Sequence, residues 1–408
     1  MTRQYDAIVA GGGPAGLAAA IALGESGCRV LVCDRRTLPA DKPCGEGILP
    51  TGVAELRRIG ILDALPTGSS RAFEGVRYVA PSGRTAAAPF APGPGLAVRR
   101  TALSGALLER VRRTRGVDVW APARVKPRER TRSEVTVEVD GLTLSTPLLV
   151  GADGLHSDVR RWAGLVARPP RVRRWGARQH FAVRPWSNSV EVHFSPGVEA
   201  YVTPVSADQV GLALLWDRDR VGAVQGARLM EDLLAHFPAL ERRLRGATTV
   251  SAPRAVGPLM QPVRGVVAER VLLIGDAAGY VDALTGEGIS LALAEARVLS
   301  GIIAPALRER RLDGDFRSAL DAYARRAAEI TRPHRRLTRL LLRIGRHPAL
   351  LERLVSGFAA EPLALQHFVS ASMGIRPVWA MAPRRLLKLV RVASRPALPK
   401  VLAPCATE

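Results

Sequence analysis

The chain has 408 residues, more than one hydrophobic core usually serves, so two domains or one elaborated α/β domain with an inserted layer is expected. With 47% hydrophobic and 24% charged residues, its composition excludes a disordered chain. The formal net charge of +22, from 59 Lys+Arg against 37 Asp+Glu, would attract anions, but arginine-rich compositional bias accounts for it equally well, and no nucleic-acid motif accompanies it.

In chain order, Tyr5 to Ala10 is an apolar run of β formers, followed by glycines and then by an alanine-rich stretch at helical spacing from Leu17 to Gly24. Arg29 to Cys33 is a second apolar run, which stops at Asp34 and completes a βαβ unit. Between the two runs, Gly11-Gly12-Gly13-Pro14-Ala15-Gly16 fits the dinucleotide fingerprint. Gly11 permits the tight turn, Gly13 lets backbone approach a pyrophosphate, and Gly16 lets the helix pack on the strand; the helix N-terminus then faces the phosphates. Asp34, followed by Arg35, stands where a carboxylate binds ribose hydroxyls.

Phe73 to Pro94 is rich in Pro, Gly and small residues, and Val98 to Val111 carries Leu103, Leu107 and Leu108 on one helical face. Leu148 to Gly151 and Val271 to Ile274 read as further buried strands. Arg171 to Trp216 alternates polar and apolar positions, as antiparallel strands with one covered face do. Beyond about Asp313 the chain reads as helical and strongly basic, with no strand signal. These readings give dinucleotide-binding segments at 1–72, 97–172 and 255–330, a substrate layer from 73–96 and 173–254, and a basic helical region at 331–408. The fold class expected is α/β: a Rossmann-type domain with an inserted, mostly antiparallel β-sheet domain and C-terminal helices.

Cys28, Cys33, Cys44 and Cys405 match no metal-ligand spacing and are too few for a disulfide framework, so no metal is expected and a reducing cytoplasm is the natural compartment. No signal peptide is read, and no run of eighteen uncharged apolar residues is present.

Two later motifs choose the dinucleotide. Gly151-Ala152-Asp153-Gly154 through Arg160 resembles the Asp-Gly motif of para-hydroxybenzoate-hydroxylase-type flavoproteins, and Gly275-Asp276-Ala277-Ala278-Gly279 resembles their Gly-Asp motif, with Gly286, Gly288 and Ile289 continuing it. Arg100, before a leucine helix, matches their FAD-contacting arginine. Lys42-Pro43-Cys44-Gly45-Glu46-Gly47 narrows the resemblance to the geranylgeranyl-reductase branch and related tailoring hydroxylases. The resemblance implies FAD bound by Gly11, Gly13, Pro14, Ala15, Gly16, Asp34, Arg35, Cys44, Gly45, Arg100, Asp153, Gly154, Gly275, Asp276, Gly286, Gly288 and Ile289. For Cys44 itself, a structural small hydrophobe and a pocket role both stand.

The resemblance further implies NAD(P)H as a transient reductant, since only one dinucleotide fingerprint is present. Where geranylgeranyl reductases carry a bulkier aromatic strand, this chain has Tyr201-Val202-Thr203-Pro204, which favours a monooxygenase using O2 on an aromatic, phenolic-lipid or polyketide-type small molecule. Tyr201 and Thr203 are its candidate catalytic residues, with Arg178, His180, His193 and Cys44 lining the pocket. Reduction of prenyl double bonds is the alternative, and a flavin-bound sensor without turnover is a third reading. Arg332 to Arg346, interleaved with Leu337, Leu340, Leu341, Leu342 and Ile344, reads either as a solvated helical cap or as a basic face for peripheral contact with anionic membrane.

Overall fold

The computed structural model describes residues 5–168, 173–222, 224, 226–309, 313–385 and 388; Cys405 and the end of the expected basic region lie outside them. At its centre six strands run in the order Val267–Ala268, Val271–Leu273, Leu149–Gly151, Ala7–Ala10, Val30–Cys33, Val117–Trp120. All neighbours are parallel except the first two. A parallel sheet is covered on both faces, so its strands are apolar throughout rather than alternating. Ile8, Val9, Val30, Leu31 and Val32 are accordingly all buried.

The helix Pro14–Glu25 begins on a proline, whose fixed φ suits the first turn and whose missing N–H would be unpaired there anyway. Its small residues allow close packing: a Cβ on Gly24 would stand 2.5 Å from Val117 Cγ2. It packs against Arg100–Arg112, where Leu103, Leu107 and Leu108 are all buried, and against Gly288–Arg308. The latter is long and apolar enough to cross a membrane, yet Leu293, Leu299 and Ile303 are buried in the core beneath the sheet. A small antiparallel sheet, Val125–Arg130, Val135–Val139 and Leu142–Thr146, covers the sheet's other face.

The second large sheet is assembled from two distant segments. Gly75–Val79 and Thr85–Pro89 join Ser189–Ser195, Val198–Pro204, Gln209–Asp217 and Arg174–Ala182. The pairing of Gly75–Val79 with Ser189–Ser195 is parallel, and the rest of this run is antiparallel. Strand alternation sorts its faces. Ala200 and Val202 pack under the short helices Leu229–Leu234 and Pro238–Leu244, while Tyr201 and Thr203 face a cavity between this sheet and the parallel one.

The helices Asp313–Gly345, Pro348–Ala360 and Pro362–Ser372 close the far side of that cavity. Phe358 and Phe368 meet with ring centroids 5.3 Å apart, and Leu337, Val355 and Leu365 are buried with them. In the first of these helices Arg335 turns inward to donate to Ala278 O and Gly279 O, and Arg346, just past its end, donates to Asp217. That helix is thus a cap fastened to the body.

Candidate functional site

The cavity sits beyond the carboxyl ends of the parallel strands, the usual ligand position in such sheets. At its nucleotide end the three fingerprint glycines have separable reasons. Gly11 adopts φ +117°, and a Cβ there would lie 2.3 Å from Ala152 O; one on Gly16 would lie 1.9 Å from Gly11 O. Gly13 is different: its nearest neighbour would be Arg100 Nη2 at 3.8 Å, so it is open toward the cavity. Gly12 N donates to Asp34 Oδ2 at 2.8 Å, and Arg36, rather than Arg35, grips that carboxylate with Nε and Nη2 at 3.1 and 3.0 Å. Arg35 is exposed. Arg36 and the Gly12 amide hold the Asp34 carboxyl below its ordinary range despite its burial.

Glu46 organises the loop 41–47. It is buried in a left-handed backbone conformation, φ +59°, and its Oε1 accepts from Arg100 N at 2.8 Å, pairing a helix-start amide that would otherwise be open. Its Oε2 lies 2.5 Å from His180 Nε2. Arg178 donates to Asp41 Oδ1 at 2.5 Å and to Lys42 O at 3.0 Å. Arg178 lines the cavity, whereas His180 lies behind it, bonded to Glu46 and Ser251, so the histidine positions the loop instead of meeting a substrate. Cys44 Sγ accepts from Glu46 N at 3.3 Å and faces the cavity, and burial pushes its thiol pKa upward. Burial pulls the Lys42 ammonium downward.

The Gly-Asp segment is held from behind. Gly275 adopts φ +62° and its N–H donates to Glu295 Oε2 at 2.7 Å. Burial pushes the Glu295 carboxyl up to about 7. Arg160 donates to Asp276 O and Ala277 O, and Arg335 to the next two carbonyls. Asp276 lines the cavity with Gly286, Gly288 and Ile289 at the start of the helix Gly288–Arg308. Gly154 lines the cavity, while Asp153 Oδ2 accepts from Asp158 N at 2.7 Å and Val159 N at 3.1 Å, holding the start of a short helix, and its buried Oδ1 has no protein partner.

The opposite half of the cavity is walled by Leu49, Phe73, Val76, Tyr78, Phe90, Val190, Val192, Leu215, Phe368 and Val369. Tyr201 and Thr203 do point there, as alternation requires, but their protons are committed: Tyr201 donates to Leu284 O at 2.9 Å and Thr203 to Gly45 O at 2.8 Å. His193 lies on the other face of its strand, where it meets Glu191 at 3.1 Å and stacks edge-on toward Phe237. It does not line the cavity, a correction that strand parity explains. A buried triad ties this sheet to the loop after the Gly-Asp segment, Arg174 bridging Glu199 and Asp282.

Lys42, Glu46, Arg160, Tyr280, Glu295 and Arg335 bear on the site although the sequence alone did not single them out. Lys42, Glu46 and Arg160 stand inside motifs already named, and Arg335 inside the arginine run, but residue order gave none of them a role at the site. The others act through contacts between residues far apart in the chain. Among the described residues no cluster of His, Cys, Asp and Glu could hold a metal ion.

Known proteins share this framework. A family model described as an FAD binding domain matches residues 4–335. A protein named menaquinone reductase from Mycobacterium tuberculosis (strain CDC 1551 / Oshkosh) is 29% identical over 330 residues, covering 73% of this chain and 76% of that protein. Digeranylgeranylglycerophospholipid reductase 2 from Methanopyrus kandleri is 28% identical over 330 residues, covering 77% and 80%. The solved structure of pqsL, a probable FAD-dependent monooxygenase from Pseudomonas aeruginosa, superposes with a TM-score of 0.71 at 20% identity, covering 85% of this chain and 98% of that one, a likeness of fold.

Proposed function

Since the chain belongs to the FAD binding domain family, and with it to the flavin-dependent oxidoreductases, we propose that it saturates carbon–carbon double bonds of an isoprenoid chain, with NAD(P)H as the transient reductant. One observation carries this reading: the half of the cavity away from the nucleotide fingerprint is mainly hydrocarbon, and of its strand hydroxyls Tyr201 and Thr203 have already given their protons to backbone carbonyls, leaving only Tyr78. An alkene needs only such a wall. A carbonyl substrate would need a donor there, and Tyr78 is the one strand hydroxyl that could supply it. The relative named digeranylgeranylglycerophospholipid reductase supports the same choice.

FAD fits the residues present. Gly13 and Gly45 leave the cavity clear of side chain, and a Cβ on Gly45 would meet nothing within 4 Å. Arg100 Nε is buried without a protein partner, as suits a guanidinium that faces a phosphate. Arg100 and the start of the helix Pro14–Glu25 would hold the pyrophosphate, Asp34 the adenosine ribose and Asp276 the ribitol chain. When bound and reduced, the flavin supplies a hydride. The chain's own residues do the rest: the hydrocarbon wall orients the alkene and excludes water, and Cys44 holds a proton at Sγ in the cavity wall for the carbon that does not receive the hydride. Hydride plus proton balance one double bond.

Hydroxylation is the second reading, favoured by Tyr201 and Thr203 facing the cavity, since each hydroxyl oxygen can still accept from a phenol. An anaerobic assay separates the two. Reduced holoprotein given a geranylgeranyl lipid should yield product heavier by two hydrogens per bond. Failure without oxygen, with incorporation of labelled oxygen once O2 is admitted, overturns the reductase reading.

A further inference from the structure

The helical cap has two outer surfaces of different chemistry. On the helix Asp313–Gly345, where the arginine run suggested a lipid-facing side, Arg335 is spent on the body of the protein, as is Arg346 just past its end, and Leu340 is the large apolar residue left exposed. The next part of the chain differs. Phe368, Val369 and Ser372 on Pro362–Ser372 line the cavity from within, while Leu363 of the same helix is 49% exposed. The turn that follows presents Ile375, Val378 and Trp379, the tryptophan at 88% exposure. Single exposed apolar residues are ordinary; a nearly bare indole beside two branched aliphatics is not.

Charge identifies what this edge would meet. From Pro362 to Thr407 the sequence contains seven Lys and Arg and no Asp or Glu. Arg376 and Arg384 are exposed beside the apolar turn, and Lys388 pairs with Glu361 at 2.7 Å. An indole at the boundary between apolar and wet, aliphatic neighbours and unopposed guanidinium groups together match the surface of an anionic bilayer.

We propose that the edge of the cap centred on Ile375, Val378 and Trp379 docks on anionic lipid, and that a membrane-held substrate chain enters the cavity behind it, past the inner face of the same helix. The second clause rests on the isoprenoid reading; the first does not.

The test uses the full-length holoprotein with vesicles of phosphatidylcholine alone and of phosphatidylcholine with phosphatidylglycerol. Cosedimentation should strongly favour the anionic vesicles and fall as salt rises. Trp379→Ala should weaken it about tenfold, and Arg376→Ala combined with Arg384→Ala roughly thirtyfold, the effect of two basic groups near an anionic surface. Flavin content should be unchanged in both. For a substrate carried in vesicles these variants should raise KM, while a short, water-soluble isoprenoid analogue should be turned over as before. Equal binding to both vesicle types, or vesicle binding insensitive to both variants, overturns the proposal. So does a dimer, seen by sedimentation velocity, that Trp379→Ala dissociates, because the face would then belong to a second copy. If vesicles bind as expected but no isoprenoid is reduced, docking stands and the isoprenoid reading fails.

Discussion

The two halves of the cavity use polar atoms in opposite ways. At the nucleotide end they are left open: Gly13 presents bare backbone, Arg100 Nε has no partner, and Asp276 faces the space. At the other end most are consumed internally, Tyr201 on Leu284 O and Thr203 on Gly45 O, among Phe73, Phe90 and Phe368, with Tyr78 bringing the one strand hydroxyl left over. Unpaired polar groups are costly to keep buried, so an open set implies a polar ligand and a consumed set an apolar one. The loop carrying Cys44 and Glu46 lies at the seam, fastened to the nucleotide side through Arg100 N and to the substrate sheet through Arg178 and His180.

The sharpest way to break this contrast is within the fingerprint itself. Gly16→Ala forces a Cβ to within 1.9 Å of a backbone oxygen and should cost on the order of 4 kcal/mol or abolish folding, seen as loss of the thermal transition. Gly13→Val has room in the protein and should leave the apo-protein's melting close to wild type while flavin retention is lost, read from absorbance of the purified protein. Full flavin occupancy in a folded Gly13→Val would contradict an open pyrophosphate site.

At the seam, Glu46→Ala leaves buried His180 Nε2 without its partner and uncaps Arg100 N, while Arg178 loses a 3.9 Å contact and keeps Asp41. A loss of roughly 3–5 kcal/mol in denaturant unfolding is expected, as for one half of a buried pair. A change under about 1 kcal/mol would mean that the loop is held elsewhere.

Behind the Gly-Asp segment, Glu295 makes stability depend on pH. Its folded pKa, about 7, is raised above the ordinary 4.5, so the folded state binds the proton more tightly. This contribution is fully present below about pH 4.5, declines as pH rises, and is gone above about 7. The decline should approach ~3 kcal/mol and vanish in Glu295→Gln, as measured by urea midpoints between about pH 5 and 8. A variant with the wild-type pH profile would sink the assignment. The smallest effect belongs to the substrate half. Tyr201→Phe and Thr203→Val should each cost about 1 kcal/mol of stability, the worth of one hydrogen bond, with turnover altered only a few-fold. Loss of turnover by orders of magnitude would return both hydroxyls to the chemistry.

The same contrast explains what was legible beforehand. The nucleotide half is built by backbone at short spacing, so Gly11 to Gly16, Asp34 and the Gly-Asp segment could be read directly from residue order. The inserted sheet was visible through alternation, which correctly put Tyr201 and Thr203 on one face. Parity could not say what their hydroxyls bond, because Leu284 is 83 positions from Tyr201 and Gly45 is 158 from Thr203. His180 looked like a ligand residue because a polar side chain that meets a ligand is indistinguishable, in one dimension, from a polar side chain that holds a motif in place. The hydrocarbon wall was invisible for a related reason: Phe73, Val190 and Phe368 become neighbours only in the fold.

The most direct test of the central claim is a binding measurement that needs no turnover. Oxidised holoprotein is titrated with a saturated geranylgeranyl-length chain and, separately, with simple phenols, and perturbation of the flavin spectrum is followed. A consumed-polar, hydrocarbon half predicts saturable perturbation by the chain and little by the phenols. Tight perturbation by phenols with none by the chain would contradict it.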